Sequence, residues 1–370
     1  MTGDLPAQDL PAQDLSAQDP AAQDLFAEAG RQLAVCNACR YCEGYCAVFP
    51  ALELRRVLTE GDITHLADLC HDCRACYTAC MYAPPHEFAI NPPAILSAVR
   101  RDTYDRYLPR LPAGRRATVA VTALGALAVL AACAVTGGTS SAVAGSPYRV
   151  IGYPALLAAA GLAIAWGLAV TGLAARRYWR DTGGVVTLAG LAAAAGQAVT
   201  LRNLRGGGAD CSYPGDEPSP WRRRLHHLVA GGFGLCTAST VAAAVSQDIL
   251  GDPPPYPVLS VPVLLGVLGG AGLAAGGGGL LLLRSRSDPY RTDGLMSSRT
   301  RSLLLALLVL SVTGLLTLVL RDTVAFAPVL VIHLAAVTAC FAIAPYTKFV
   351  HVVFRFLALV HDRSQAGRAD

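Results

Sequence analysis

A chain of 370 residues with 53% apolar and only 15% charged side chains is too apolar for two or three ordinary soluble domains. Its net charge of +4 sits in arginine clusters between long uncharged runs, a pattern that excludes a nucleic-acid binder and points to a membrane protein. The first 28 residues repeat a five-residue unit, DLPAQ, DLPAQ, DLSAQ, DPAAQ, DLFAE. With an Asp in every unit and few large apolar side chains, residues 1–28 have little to bury and are expected to form a disordered tail. An acidic, polar start is unlike a secretory signal, so the segment that follows is expected in the cytoplasm. Twelve cysteines in that setting favour metal ligation over disulfides.

Eight of those cysteines fall in two copies of one spacing, CxxCxxCxxxC: "CNACRYCEGYC" at 36–46 and "CHDCRACYTAC" at 70–80. Three soft thiolates at every third residue can wrap three irons of a cubane, and the fourth ligand then comes from elsewhere. In two-cluster ferredoxins of this spacing the fourth cysteine serves the other cluster. Cys36, Cys39, Cys42 and Cys80 are therefore assigned to one [4Fe-4S] cluster, and Cys70, Cys73, Cys76 and Cys46 to the other. Structural zinc, the alternative, usually takes separated CxxC or CxxH pairs without a third cysteine in step. The proline common after the fourth cysteine is missing here; Pro50 and Pro84 each stand four residues beyond it. Between the motifs, "PALELRRVLTEGDITHLADL" has helical periodicity with a break and new cap expected at Gly61 and Asp62. An α-helical ferredoxin domain over 29–110 is therefore expected. Tyr41, Tyr45, Tyr77, Tyr82 and Phe88 are candidates to pack round the clusters, and Arg40 and Arg74 to offset their charge. "APPHEF" at 83–88 is a candidate docking edge, while His65 and His71 read as surface helix positions.

Seven uncharged stretches follow, at 117–148, 150–175, 182–201, 228–247, 253–283, 302–320 and 323–347, and about 20 apolar residues suffice to span a bilayer. Charge bias separates them. If 182–201 does not span, the large arginine groups all share the side of the cysteine motifs and only Arg149 and Arg321 lie opposite. The expected fold is all-α: the ferredoxin domain followed by a six-helix transmembrane bundle over 117–360, with a cytoplasmic loop at 176–224 and 182–201 interfacial or re-entrant. The triple glycine at 206–208 reads as a tight turn, since no strand, lysine or serine makes it a phosphate loop. Cys133, Cys236 and Cys340 read as small apolar residues, and Cys211 as a candidate reactive thiol.

Four stretches, "CNACRYCEGYCAVFPALELRR", "LCHDCRACYTACMYAPPHEFAINPP", "RRRLHHL" and "PYTKFVHVVFR", in that order resemble the tricarballylate utilization protein B (TcuB or CitB) family from about residue 30 to 360. Met81 stands where that family's second motif is expected to carry glutamine. The resemblance implies a membrane-bound electron carrier with two [4Fe-4S] clusters and haem that reoxidises the reduced FAD of a partner dehydrogenase, expected to be of the tricarballylate dehydrogenase type. A b-type haem needs axial ligands, and the histidines available are His226, His227, His333 and His351. His226 and His227 open the third span and His351 closes the sixth at the same face, so His351 with one of the first two is the expected pair. His333 and His351, 18 residues apart, share a face about 27 Å apart if one helix runs through both. For His333, a second haem, a proton or quinone contact, and a hydrogen-bonded structural role stay open. The expected function is an electron wire from flavin through the clusters and haem to membrane quinone, in the cell membrane with no nucleic-acid partner. A disulfide-reducing membrane subunit is the alternative, and a redox sensor a third reading that needs no haem.

Overall fold

The computed structural model describes residues 25–136 and 145–369. Residues 1–24 of the expected tail lie outside the described residues. The last repeat unit does not belong to the tail, because helix α1 (Leu25–Cys39) begins inside it. Phe26 and Ala29 are buried there, and Glu28, in the first turn where the helix dipole favours an acid, binds Arg31 at 2.6 Å and Gln32 at 2.8 Å.

The protein is all-α apart from a two-residue antiparallel pair, β1 (Cys211–Ser212) with β2 (Pro218–Ser219), among the described residues. The N-terminal domain adds α2 (Val48–Glu53), α3 (Glu60–Leu69), α4 (Ala75–Thr78) and α5 (Pro92–Tyr107). The break between α2 and α3 falls at 54–59, and the cap is Thr59, not Asp62. Thr59 Oγ1 accepts the Asp62 amide at 3.1 Å while Asp62 returns the contact to the Thr59 amide at 3.1 Å, a capping box. Gly61 then sits inside α3, where a Cβ would meet the Asp181 carbonyl oxygen at 2.4 Å. Its bare backbone lets α3 touch the end of the second long helix.

Six helices are long and apolar enough to cross a membrane: α6 (Gly114–Thr136), α7 (Tyr153–Asp181), α9 (Trp221–Asp248), α10 (Val261–Ser285), α11 (Gly294–Val319) and α12 (Phe326–Ile343). Between α7 and α9, α8 (Leu188–Thr200) has 13 residues, about 20 Å of helix against a hydrocarbon core of roughly 30 Å. The region expected as a loop, 176–224, is thus largely structured: the end of α7, α8, a 3-10 segment at Arg202–Gly208 and the β pair.

The sixth long helix stops at Ile343. Two 3-10 turns, Ala344–Tyr346 and Lys348–Val350, precede a separate helix α13 (His351–Ala369). Pro345, which has no N–H to continue the α-ladder, lies in the break. No single helix runs through His333 and His351, so the shared face expected for them is lost, and His351 opens α13 instead of closing the sixth span. α13 packs on α8 and α3 and inserts Phe354 against Tyr104, Tyr107 and Tyr178 at 4.8 to 6.0 Å between ring centres. Ion pairs Arg101–Asp293 at 2.9 Å and Arg299–Asp105 at 2.6 Å, with Arg177 donating to the Tyr107 carbonyl at 2.9 Å, fasten the N-terminal domain to one end of the bundle.

Candidate functional site

Each cysteine loop turns by the same backbone device. The residue after the second cysteine, Arg40 in one motif and Arg74 in the other, takes a positive φ of 56° and 66°, rare for a side chain with a Cβ. Cys36 and Cys39 end α1, Cys70 caps α3 and Cys76 lies in α4. Cys36, Cys39 and Cys42 line a small cavity together with Cys80 of the second motif. Cys46 of the first motif lies among Cys70, Cys73 and Cys76. Burial, reinforced by the charge of neighbouring thiolates, pushes the Cys36 and Cys42 thiols up to about 12. The same two causes carry Cys46 and Cys76 well above the usual thiol range. Crowded thiols of this kind become thiolates only when a cationic metal group offsets their repulsion, so the donor set fits an iron–sulfur centre. Among the described residues no three His, Cys, Asp or Glu side chains converge on a point for one ion.

The two sets differ in exposure. In the second set Cys70, Cys73 and Cys76 are buried and Cys46 half-buried, whereas all four cysteines of the first set are half-buried. Beside the first set Tyr41 is 60% exposed and Met81 63%, so Tyr41 leaves that site open to water instead of sealing it. In 83–88, His86 and Phe88 group with Tyr82 at 5.0 to 5.7 Å, and Phe88 faces solvent.

The second loop is clamped from three directions. Arg100 of α5 donates to the carbonyls of Ala67 and, at 3.1 Å, Cys70. Arg355 of α13 donates to those of Cys70 at 3.2 Å and Leu69 at 2.8 Å, with its guanidinium against His71 Nδ1. Arg222 of α9 reaches the carbonyls of His71 at 3.0 Å and of Asp72. Gly206 and Gly207, at φ 49° and 79°, lay the 3-10 segment on both loops: a Cβ on them would stand 3.2 Å from Ala75 and 3.1 Å from Tyr45. His65 and His71, expected at the surface, are enclosed instead. His65 packs edge-on against His361 at 4.6 Å with neither ring nitrogen hydrogen-bonded. Burial holds both His65 and His71 well below the usual imidazole range. Arg100, Arg222 and Arg355 carry no local sequence signal for this role. Residues 30 to 286 positions apart in the chain meet at one loop.

Where this loop meets the bundle, a cavity of about 400 Å³ is lined by Cys70, His71, His226, His351 and residues of α5, α9, α10, α11 and α13. The rings of His226 and His351 are 6.5 Å apart, centre to centre. Two imidazoles on one metal, each bonded at about 2 Å, put their ring centres roughly 6 Å apart. His351 Nδ1 bonds the Lys348 carbonyl oxygen; a carbonyl only accepts, so Nδ1 carries the proton and Nε2 is left to ligate. Four arginines, Arg100, Arg222, Arg284 and Arg355, line the cavity together with Lys348, against one acid, Asp72. Burial pushes Lys348 down to about 7. Such a cavity favours an anionic occupant, and two facing imidazoles with a surplus of cations would fit a haem and its two propionates.

His227 does not line this cavity. His333 is elsewhere: the Thr313 hydroxyl donates to the Val309 carbonyl at 2.7 Å and its oxygen meets His333 Nδ1 at 3.0 Å. A Cβ at Gly314 would come within 3.0 Å of the His333 ring. Cys133, Cys236 and Cys340 are half-buried in the long helices, and Cys211, a candidate reactive thiol, is fully buried and donates to the Leu204 carbonyl at 3.2 Å.

A family model described as citrate utilization protein B matches residues 110–370, and one described as citrate utilization protein B Fer4-like domain matches residues 29–106. Citrate utilization protein B of Escherichia coli is 40% identical over 346 residues, 90% of this chain and 91% of that protein. No solved structure matches the chain.

Proposed function

The chain belongs to the citrate utilization protein B family, and from that premise we propose that it carries electrons from the reduced FAD of a partner dehydrogenase to quinone in the cell membrane. The family and its Fer4-like domain support an iron–sulfur electron-transfer role in the use of citrate or tricarballylate. The finer reading is an FAD-dependent dehydrogenase of the tricarballylate dehydrogenase type as donor. Cys36, Cys39, Cys42 and Cys80 hold one [4Fe-4S] cluster, and Cys70, Cys73, Cys76 and Cys46 the other. His226 and His351 hold a b-type haem, and the arginine-rich face lies on the cytoplasmic side. When bound, these groups supply one-electron steps between a two-electron flavin and a two-electron quinone.

One observation carries the reading: the loop bearing Cys70 and the facing pair His226 and His351 line the same cavity. The arginine clamp holds that loop in place, and the basic side chains lining the cavity would pair with the propionates of a bound haem. Electrons leaving the buried cysteine set therefore enter the membrane part with no soluble carrier between. The alternative of disulfide reduction loses support because its candidate thiol, Cys211, has no exposed surface.

The test is a dithionite-reduced minus air-oxidised spectrum of the detergent-purified chain, with non-haem iron and labile sulfide assayed on the same sample. A b-type α-band with about eight irons and eight sulfides per chain is expected. His226→Ala and His351→Ala should each abolish the α-band and His227→Ala should keep it. Clusters without an α-band would overturn the haem and move a sensor role to the front.

A further inference from the structure

The two cysteine motifs have the same spacing, so sequence alone makes their clusters equivalent, yet the arginine that follows the second cysteine has opposite surroundings in the two. Arg40 is exposed, its Nε donating to the Asn37 carbonyl at 3.1 Å. Arg74 is 1% exposed. Tyr213 covers it with its ring 4.8 Å from the guanidinium carbon, and Nη1 reaches the Asp288 carbonyl at 3.5 Å. Its Nε and Nη2 have no hydrogen-bond partner, and Asp72 Oδ1 stands 3.7 Å from Nε.

A guanidinium that is almost fully enclosed and only partly hydrogen-bonded is costly unless a nearby negative charge offsets it. Asp72 does not suffice, because Arg222 draws on the same carboxylate from 4.0 Å, and Arg100 and Arg355 add two further cations to the loop. An anionic cluster on Cys70, Cys73, Cys76 and Cys46 supplies the missing charge. Asp72, which pairs with Arg74, turns its amide toward the Cys70 sulfur at 3.4 Å, while Arg222 and Arg355 are the cations that act on Cys73 and Cys46.

Resting on the cluster reading above, we infer that Arg74, together with the arginines that clamp the loop, is a counter-charge of the second cluster and helps set it at a higher reduction potential than the first. Reduction adds one electron and no proton, so a fixed buried cation stabilises the reduced form more than the oxidised form. The first set, with its arginine in water, lacks that stabilisation, since solvent screens the charge. One electron leaving the half-exposed site thus runs downhill to the buried one, which faces the His226 and His351 cavity, and direction is built into two motifs of identical spacing. Arg74 acts through charge placement and touches no substrate.

EPR-monitored potentiometric titration of the full chain in detergent tests this, with Cys36→Ser marking which signal belongs to the first site. Two midpoints are expected, the higher from the second site. Arg74→Gln should lower that midpoint by at least a tenfold change in the reduced-to-oxidised ratio at fixed potential, about 59 mV for one electron, and leave the other in place. Arg74→Lys should keep most of the shift, whereas a role in packing on Tyr213 alone would make Lys as damaging as Gln. Arg40→Gln should move neither midpoint comparably. Should Arg74→Gln fail to assemble, Asp72→Asn gives an independent reading of opposite sign, raising the same midpoint. Two signals that ignore Arg74 and Asp72 would overturn this inference and leave the cluster reading intact; fewer than two cluster signals in the unaltered chain would overturn both.

Discussion

At the scale of the residue, what matters is which cysteine faces which. The spacing rule assigns each motif's fourth cysteine to the other cluster, and the fold puts Cys80 on the cavity of Cys36, Cys39 and Cys42 while Cys46 lies with the second motif's three. Crossed ligation makes a definite claim about single variants. Cys46→Ser should remove the same EPR signal that Cys70→Ser removes, and Cys80→Ser the one that Cys36→Ser removes, each lowering iron from about eight to about four per chain. If Cys46→Ser silences the signal of Cys36, the ligands are not crossed. Histidines were less legible. Four were candidates from the sequence, and burial cannot be read from a residue type: His226 and His227 are neighbours, yet a helix turns by about 100° per residue and only His226 reaches the cavity. His65 and His71 sit in a stretch that looks amphipathic, and what buries them arrives from α13, nearly 300 residues later.

At the scale of the element, α9 and α10 carry the contact on which His226 depends. A Cβ at Gly232 would meet Leu273 N at 2.7 Å, one at Gly269 would meet Cys236 N at 2.7 Å, and one at Gly276 the Leu225 carbonyl oxygen at 2.8 Å. Small residues that let two membrane helices touch backbone to backbone replace the hydrophobic drive that lipid removes. Gly276 faces the carbonyl of the residue just before His226 across this seam, so Gly276→Leu should cost about 1–3 kcal/mol by overpacking. Haem content per chain, measured as the pyridine haemochrome, should fall with it, while iron and sulfide in the clusters stay. An unchanged haem content would mean that the seam does not position His226. The end of the sixth helix teaches the same lesson in reverse. Periodicity continued past Pro345, but the missing N–H broke the ladder, and the short turns at 344–350 swing His351 onto a new helix facing α9.

At the scale of the whole molecule, α13 joins the two halves, and its joint with α3 contains an unusual pair. His65 and His361 pack ring to edge at 4.6 Å, and around them stand Arg55, Asp62, Trp179 and the Val185 amide, which donates to His361 Nδ1 at 2.9 Å. Burial first, then Arg55, depresses both imidazoles. With the folded pKa below the unfolded value of about 6.5, the unfolded chain takes up protons that the folded chain refuses. Stability is therefore full above that value and falls as pH drops below it, by up to ~1.4 kcal/mol per pH unit for His65. Hydrogen exchange of α3 and α13, corrected for intrinsic rates, should be faster at pH 5.5 than at pH 7.5, and His65→Phe should flatten the difference. Equal pH dependence in the variant would remove the histidine pair as the cause.

The sequence by itself determined the eight cysteine positions, the all-α class and the six spans, because thiolate spacing, helical periodicity and charge bias are local properties that no tertiary contact needs to supply. It favoured 182–201 as an interfacial or re-entrant segment, and α8, at 13 residues, is too short to cross. Only the tertiary structure decided that two motifs of the same spacing have unequal surroundings, that α13 returns to clamp the second loop, and that His226 and His351 share a cavity with Cys70. Those are questions of burial and of long-range proximity, and both are fixed by how helices pack once formed, which side-chain order along the chain does not encode residue by residue.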